Sequence, residues 1–225
     1  MPVKTVQYAP GRLADVFGEP AQPTILLWHG MQTDARETVR PLAGMLAGHG
    51  AAVVVPDWNS QSADGGRSDL LGSLELAREH ADDRAGLVLV GWSLGGAAAA
   101  GLTIERSDVA LAHTVCLAGA FMVPDPICGR VAADGLPADR AGAPFTLLHG
   151  VDDHAVPVTA SRDFASHLQR AGWPVDLIEL PADHGSIAGA DYDRDAQRYV
   201  PARGGPALAM AREVAERISA TLRYE

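Results

Sequence analysis

Apolar residues fall along the chain in two alternating rhythms. Six short runs rich in β-branched residues, at 24–28, 51–55, 86–90, 113–118, 144–148 and 175–180, are apolar nearly throughout. Strands with one face in water alternate apolar with polar, whereas strands covered on both faces do not, and parallel sheets are built from the second kind. Between these runs the apolar positions recur at helical spacing. Val39, Leu42, Ala43 and Leu46 share one face, as do Phe164 and Leu168 ahead of Gly172, and Leu208, Ala211, Ala215, Ile218 and Leu222 behind Pro206 at a first-turn position. Strand and helix in alternation predict an α/β fold, a doubly wound and mostly parallel sheet flanked by helices.

No internal repeat, low-complexity segment or Pro/Ser-rich linker divides the 225 residues, so one domain spanning 1–225 is expected. Two stretches break the rhythm: 119–143, rich in Gly, Pro and Asp, and 185–205, polar with few apolar anchors. Both read as long loops, which in a compact domain are often functional.

Composition narrows the function classes. With 47% hydrophobic and 20% charged residues, the chain is of ordinary globular type and neither disordered nor a coiled coil. Eighteen Lys and Arg against 28 Asp and Glu leave a net charge of −10, and no stretch gathers basic side chains. Neither nucleic acid nor a membrane is therefore an expected partner. Cys116 and Cys128 are too few for a disulfide framework and form no paired CxxC zinc site, so both read as free thiols, Cys116 buried. The N-terminal MPVKTVQYAP has no apolar h-region, and no apolar run approaches the roughly 20 residues of a membrane helix. The expectation is a soluble, cytoplasmic protein.

The chemistry starts at Gly91-Trp92-Ser93-Leu94-Gly95-Gly96, which follows the apolar run 87–90 and opens an Ala-rich helix. This is G-x-S-x-G in the strand, turn, helix context it requires, with the serine on a strained turn and glycines where a Cβ would clash. There is no third glycine at dinucleotide spacing and no GK[ST], so a phosphate-binding turn is disfavoured. A neutral serine needs a base, and the base needs an orienting acid. Beyond the run 144–148 come the carboxylates Asp152 and Asp153; beyond 175–180 comes His184, followed by Gly185. In parallel sheets ligand sites form outside the carboxyl ends of the strands, which would bring serine, acid and histidine to one edge in the order Ser, Asp, His.

These motifs, together with Trp28-His29-Gly30 after an early strand, resemble the α/β-hydrolase fold superfamily over essentially the whole chain. Gln7-Tyr8-Ala9 and Leu13-Ala14-Asp15-Val16-Phe17 look like the N-terminal strands of small carboxylesterases and dienelactone-hydrolase-like enzymes. The sequence departs from both: His29-Gly30-Met31-Gln32 replaces the HGGG oxyanion motif of the lipase and esterase branch, and Ser93 replaces the cysteine nucleophile of dienelactone hydrolases. The resemblance implies Ser93 as nucleophile and His184 as base. In the family run His-Gly-x-x-Asp-x-x-Val-Pro the orienting acid is the fifth residue, here Asp153. The oxyanion hole is implied to use the N–H groups of Leu94 and Met31, with the Met31 side chain lining the acyl pocket. His29 and His149, before glycines at strand ends, read as structural.

Trp92 and Trp58 are candidate substrate-binding walls and equally candidate packed aromatics. Asp191-Tyr192-Asp193-Arg194-Asp195 has the carboxylate spacing of a calcium loop, but Ala196 and Ala202 stand where glycine and glutamate are needed, so a solvated loop is expected. No metal and no cofactor are expected. Only the 25 residues of 119–143 separate the runs 113–118 and 144–148, where many members of the superfamily insert a helical cap, so no large cap domain and a shallow, open acyl site are expected. The expected activity is hydrolysis of small or short-acyl esters, with a small-molecule acyl substrate and water as partners. Thioester or lactone hydrolysis, acyl transfer and a non-catalytic binding protein on the same scaffold are the alternatives.

Overall fold

Seven segments of the chain pair into a sheet around the run that ends at Trp28. The computed structural model describes residues 3–19, 23–81, 86–137 and 142–222. Its main sheet contains β1 (Val3–Ala9), β2 (Arg12–Phe17), β3 (Thr24–Trp28), β4 (Ala52–Pro56), β5 (Leu87–Trp92), β6 (Leu111–Leu117), β7 (Phe145–Gly150) and β8 (Val175–Leu180), in the spatial order β1-β2-β4-β3-β5-β6-β7-β8. The hairpin β1/β2 and the β2/β4 pair are antiparallel; every pair from β4 to β8 is parallel. All six apolar runs are strands, with ends displaced by up to two residues where hydrogen bonding carries past the apolar stretch.

The helices are α1 (Arg40–Gly48), α2 (Arg67–His80), α3 (Leu94–Glu105), α4 (Thr159–Arg170) and α5 (Gly205–Ser219). The period of two along each strand deals its side chains to opposite layers. Leu26 and Trp28 of β3, with Leu87 and Leu89 of β5, pack with Leu70 and Leu74 of α2 and Phe164 and Leu168 of α4. Ile25 and Leu27, with Val88, Val90 and Trp92, pack with Leu42 and Leu46 of α1 and Val214 and Ile218 of α5. Each such buried Leu, Ile or Val side chain contributes about 1.5–3 kcal/mol, which is why both faces of the central strands must be apolar. Helix α2 buries Leu70, Leu74 and Ala77 at helical spacing, but Ser73 takes one place of that stripe and Leu71 and Leu76 lie off it half-buried, which blurs the apolar face in the sequence.

The two irregular stretches differ from expectation in different ways. Segment 119–143, of which 138–141 lie outside the described residues, has among its described residues one short 3-10 turn, Ala132–Gly135. It lies on the α3/α4 side, with Phe121 stacked on Phe164 at 4.1 Å and Ile127 buried. No large cap is built from it. Segment 185–205 is not the irregular polar loop its composition suggests. It contains a two-stranded antiparallel hairpin, β9 (Ala190–Asp193) and β10 (Arg198–Pro201), in which the exposed Tyr192 pairs across the strands with the half-buried Tyr199, rings 5.0 Å apart. Within its turn the Asp193 carboxylate accepts the N–H groups of Asp195 and Ala196 at 3.0 Å each.

β4 and β5 follow β3 in the chain but lie on opposite sides of it, so the loops after β3 and β5 diverge at a topological switch point. That crevice, at the carboxyl ends of the strands, holds the site.

Candidate active site

Ser93 leaves β5 with φ 58° and ψ −120°, a backbone conformation that costs a non-glycine residue about 1–3 kcal/mol. Its N–H donates to the Leu117 carbonyl at 2.9 Å, and its carbonyl accepts from Gly96, Ala97 and Ala120. A Cβ on Gly91 would stand 2.1 Å from the Gly95 carbonyl oxygen, and one on Gly95 would stand 2.3 Å from that of His29, so both positions exclude any side chain.

Ser93 Oγ lies 3.0 Å from His184 Nε2, in the loop after β8, and His184 Nδ1 lies 2.7 Å from Asp153 Oδ2, in the loop after β7. Because the carboxylate only accepts, Nδ1 carries the proton and Nε2 is left to receive one from the serine. The second Asp153 oxygen accepts the N–H groups of Ala155 and Val156 at 2.8 Å each. Burial by itself would raise the Asp153 carboxyl, but the His149 Nε2–H group 3.5 Å away, the hydrogen bond from His184 and the Val156 N–H outweigh it and hold the group well below the usual carboxylate range. His149 is fully buried, with Nδ1 2.7 Å from Ser161 Oγ and Nε2 donating to the Val156 carbonyl at 2.9 Å. Asp152 is exposed.

The two expected oxyanion donors come from the two strands flanking the switch point. Leu94 is the first residue of α3, where an N–H has no intrahelical acceptor. Met31 lies past β3, and its peptide is oriented by His29. The Nε2 atom of this buried ring accepts the N–H groups of Ala35 and Trp58 at 3.2 and 3.3 Å, so the proton sits on Nδ1, which donates to the Gly30 carbonyl at 2.8 Å. Burial lowers the His29 pKa to about 3, keeping the ring neutral. In a trans peptide the C=O and N–H point opposite ways, so anchoring the Gly30 carbonyl aims the Met31 N–H away from the His29 ring.

A cleft of about 550 Å³ runs over Ser93 and is bordered by Met31, Leu94, Trp92, Met122, Val123 and Tyr199, and among the described residues no carboxylate lines it although the chain carries −10 overall. Trp92 borders the cleft: its ring lies 5.3 Å from that of His184, and its indole N–H donates to the His184 carbonyl at 2.8 Å. Trp58 does not. It is fully buried in the α2 layer, stacked on His29 at 5.4 Å, with its indole N–H on the His29 carbonyl, so it lies beneath the loop after β3 and away from the cleft.

Sequence reasoning missed Tyr199, whose ring meets Trp92 edge-on at 5.2 Å and lies 5.5 Å from His184. Its only local signal was an aromatic residue beside Val200 in a polar stretch. Cys116 and Cys128 are free thiols, and burial pushes the Cys116 thiol up, away from reactivity. Among the described residues no three His, Cys, Asp or Glu side chains gather as a metal-binding group, and no helix is long and apolar enough to cross a membrane.

A mostly parallel sheet with a strained serine at the β5/α3 turn and a histidine and an acid on later loops of the same edge defines the α/β-hydrolase fold. Solved structures of that fold superpose on nearly the whole chain. Esterase 2 of Thermogutta terrifontis, phosphorylated by paraoxon, has 18% identity and a TM-score of 0.71 over 96% of this chain and 92% of its own; the same esterase has also been solved bound to propionate and to butyrate. Est1E from Butyrivibrio proteoclasticus has 17% identity and a TM-score of 0.69 over 99% of both chains. MGS-M1, an α/β-hydrolase enzyme from a deep-sea metagenome of the Medee basin, has 16% identity and a TM-score of 0.68 over 88% of this chain and 92% of its own. No protein-family model matches the sequence, and no curated protein does.

Proposed function

We propose that this protein is a serine hydrolase that cleaves small or short-acyl carboxylic esters through an acyl-enzyme. The observation that carries the reading is the continuous relay from Ser93 Oγ through His184 to Asp153, at 3.0 and 2.7 Å, opening into an apolar cleft. In this reading Ser93 Oγ attacks the ester carbonyl carbon while His184 Nε2 takes its proton. Asp153 holds the imidazole tautomer and stabilises the imidazolium. The Met31 and Leu94 N–H groups receive the charge that develops on the carbonyl oxygen. His184 then protonates the departing alcohol, and a water molecule deprotonated by the same histidine releases the acid and restores the serine.

Support for a short acyl chain comes from segment 119–143: Phe121 and Ile127 pack into the core, and among the described residues the segment gives the cleft only Ala120, Met122 and Val123. Each methylene left in water forgoes about 0.8 kcal/mol of binding. Binding of propionate and butyrate by the T. terrifontis esterase is in keeping with that size. The test is labelling by a fluorophosphonate, expected at Ser93 and absent in Ser93→Ala, followed by a p-nitrophenyl ester series. Acetate to butyrate should be turned over best and decanoate clearly worse. Labelling at Ser60, Ser62 or Ser186 would sink the assignment, and an optimum at eight or more carbons would sink the short-acyl part.

A further inference from the structure

Gln32 follows the Met31 donor, and its amide makes two bonds to a single residue of β10. Nε2 donates to the Tyr199 carbonyl at 3.0 Å, and Oε1 accepts the Tyr199 N–H. Both main-chain groups of Tyr199 therefore face away from β9, which makes Tyr199 and Tyr192 a non-hydrogen-bonded pair of the kind that brings side chains together. The amide of Gln32 occupies the place where a third strand would pair, taking the Tyr199 N–H and sharing the Tyr199 carbonyl with Thr38 Oγ1, which donates to it at 3.4 Å. The next link is also fixed: Ser60 Oγ donates to the Met31 carbonyl at 2.6 Å. The Tyr199 ring in turn packs against Trp92 and His184.

We propose that Gln32 is a positioning residue, holding the Met31 N–H where an oxyanion would form by docking its loop on the Tyr199 peptide groups. The hairpin β9/β10 then braces the oxyanion loop and the base from one side. This inference rests on the serine-esterase reading above and adds to it a residue that need not touch the substrate.

The test compares Gln32→Met, which keeps the length and loses both bonds, with wild type on p-nitrophenyl butyrate and on a trifluoromethyl ketone that mimics the tetrahedral state. The expected result is kcat lower by about 10- to 100-fold, KM within about twofold, and ketone affinity falling in parallel with kcat/KM. Because the amide also borders the cleft, a simple wall role would instead raise KM and spare kcat, and that outcome overturns the proposal, as does no change in either. Gln32→Glu provides a second arm and decides the matter if Gln32→Met does not fold. Ionised, the carboxylate has no donor for the Tyr199 carbonyl; protonated, it regains one. The ratio of variant to wild-type kcat should therefore rise as pH falls from 8 to 5, and a constant ratio overturns the proposal. A wild-type protein that neither turns over esters nor takes the fluorophosphonate would instead overturn the parent reading, so the two failures are distinguishable.

Discussion

The Trp92 indole N–H donates to the main-chain carbonyl of His184 at 2.8 Å, so the residue before the elbow serine holds the backbone of the histidine that faces that serine. Trp92→Phe keeps an aromatic ring in the α1/α5 layer and leaves a buried carbonyl unpaired, at a cost of about 1–3 kcal/mol. Misplacing the base should lower kcat by between about 10- and 100-fold with KM little changed. Urea unfolding and steady-state kinetics measure both; lost stability with kcat intact would reduce the bond to scaffolding.

Asp153→Asn should lower kcat by about 10³- to 10⁴-fold, because an amide that donates to Nδ1 forces the wrong imidazole tautomer. Asp152→Asn should stay within about twofold, since the Asp152 side chain is exposed and the relay uses its neighbour. Equal losses in the two variants, read as kcat on one ester, contradict the assignment of the acid.

His29 is neutral when folded, with its pKa lowered by burial to about 3 from 6.5. Between these values the unfolded chain binds a proton that the folded chain does not, so stability is fully present above pH 6.5 and is lost as pH falls through the window, by about 1.4 kcal/mol per unit. In His29→Gln that slope should be shallower by about one proton. Urea midpoints at pH 7, 5.5 and 4.5 for both proteins test it; parallel slopes would mean that the ring is charged in the fold.

The strain at Ser93 predicts a trade of stability for function. Ser93→Gly and Ser93→Ala should both be inactive, but only glycine relieves the backbone at φ 58°, so Ser93→Gly should be the more stable by about 1 kcal/mol, or roughly 2–4 °C in Tm. Calorimetry on the two variants decides it, and equal melting temperatures would show that the conformation is unstrained.

Much of the scaffold was legible because the responsible forces act locally. A strand buried on both faces must be apolar at every position, as 24–28 is, and a serine on a forced turn must have small neighbours, as Gly91 and Gly95 show by backbone contacts of 2.1 and 2.3 Å to an added Cβ. Helix α2 was harder to read, since a serine, Ser73, takes one place of its buried stripe of Leu70, Leu74 and Ala77 and the half-buried Leu71 and Leu76 lie off it, so the face is settled by packing against β3. The hairpin β9/β10 was hidden because its one packed aromatic is Tyr199, and what holds that ring and its peptide is His184 in the loop after β8 and the far more distant Trp92 and Gln32.

By itself, the sequence determined the order of the strands along the chain, the strained turn at Ser93, and an acid and a histidine on later loops, because each depends on residue type at short spacing. Only the tertiary structure decided which tryptophan meets the cleft. Trp58 follows β4 and Trp92 ends β5, yet one is turned into the α2 layer under His29 and the other toward His184. Tertiary packing likewise decided that His29 keeps one tautomer, and that Gln32 pairs with Tyr199 at a separation of 167 residues. These choices are set by hydrogen-bond partners and neighbouring volumes that come together only when the chain is folded, and no local pattern carries them.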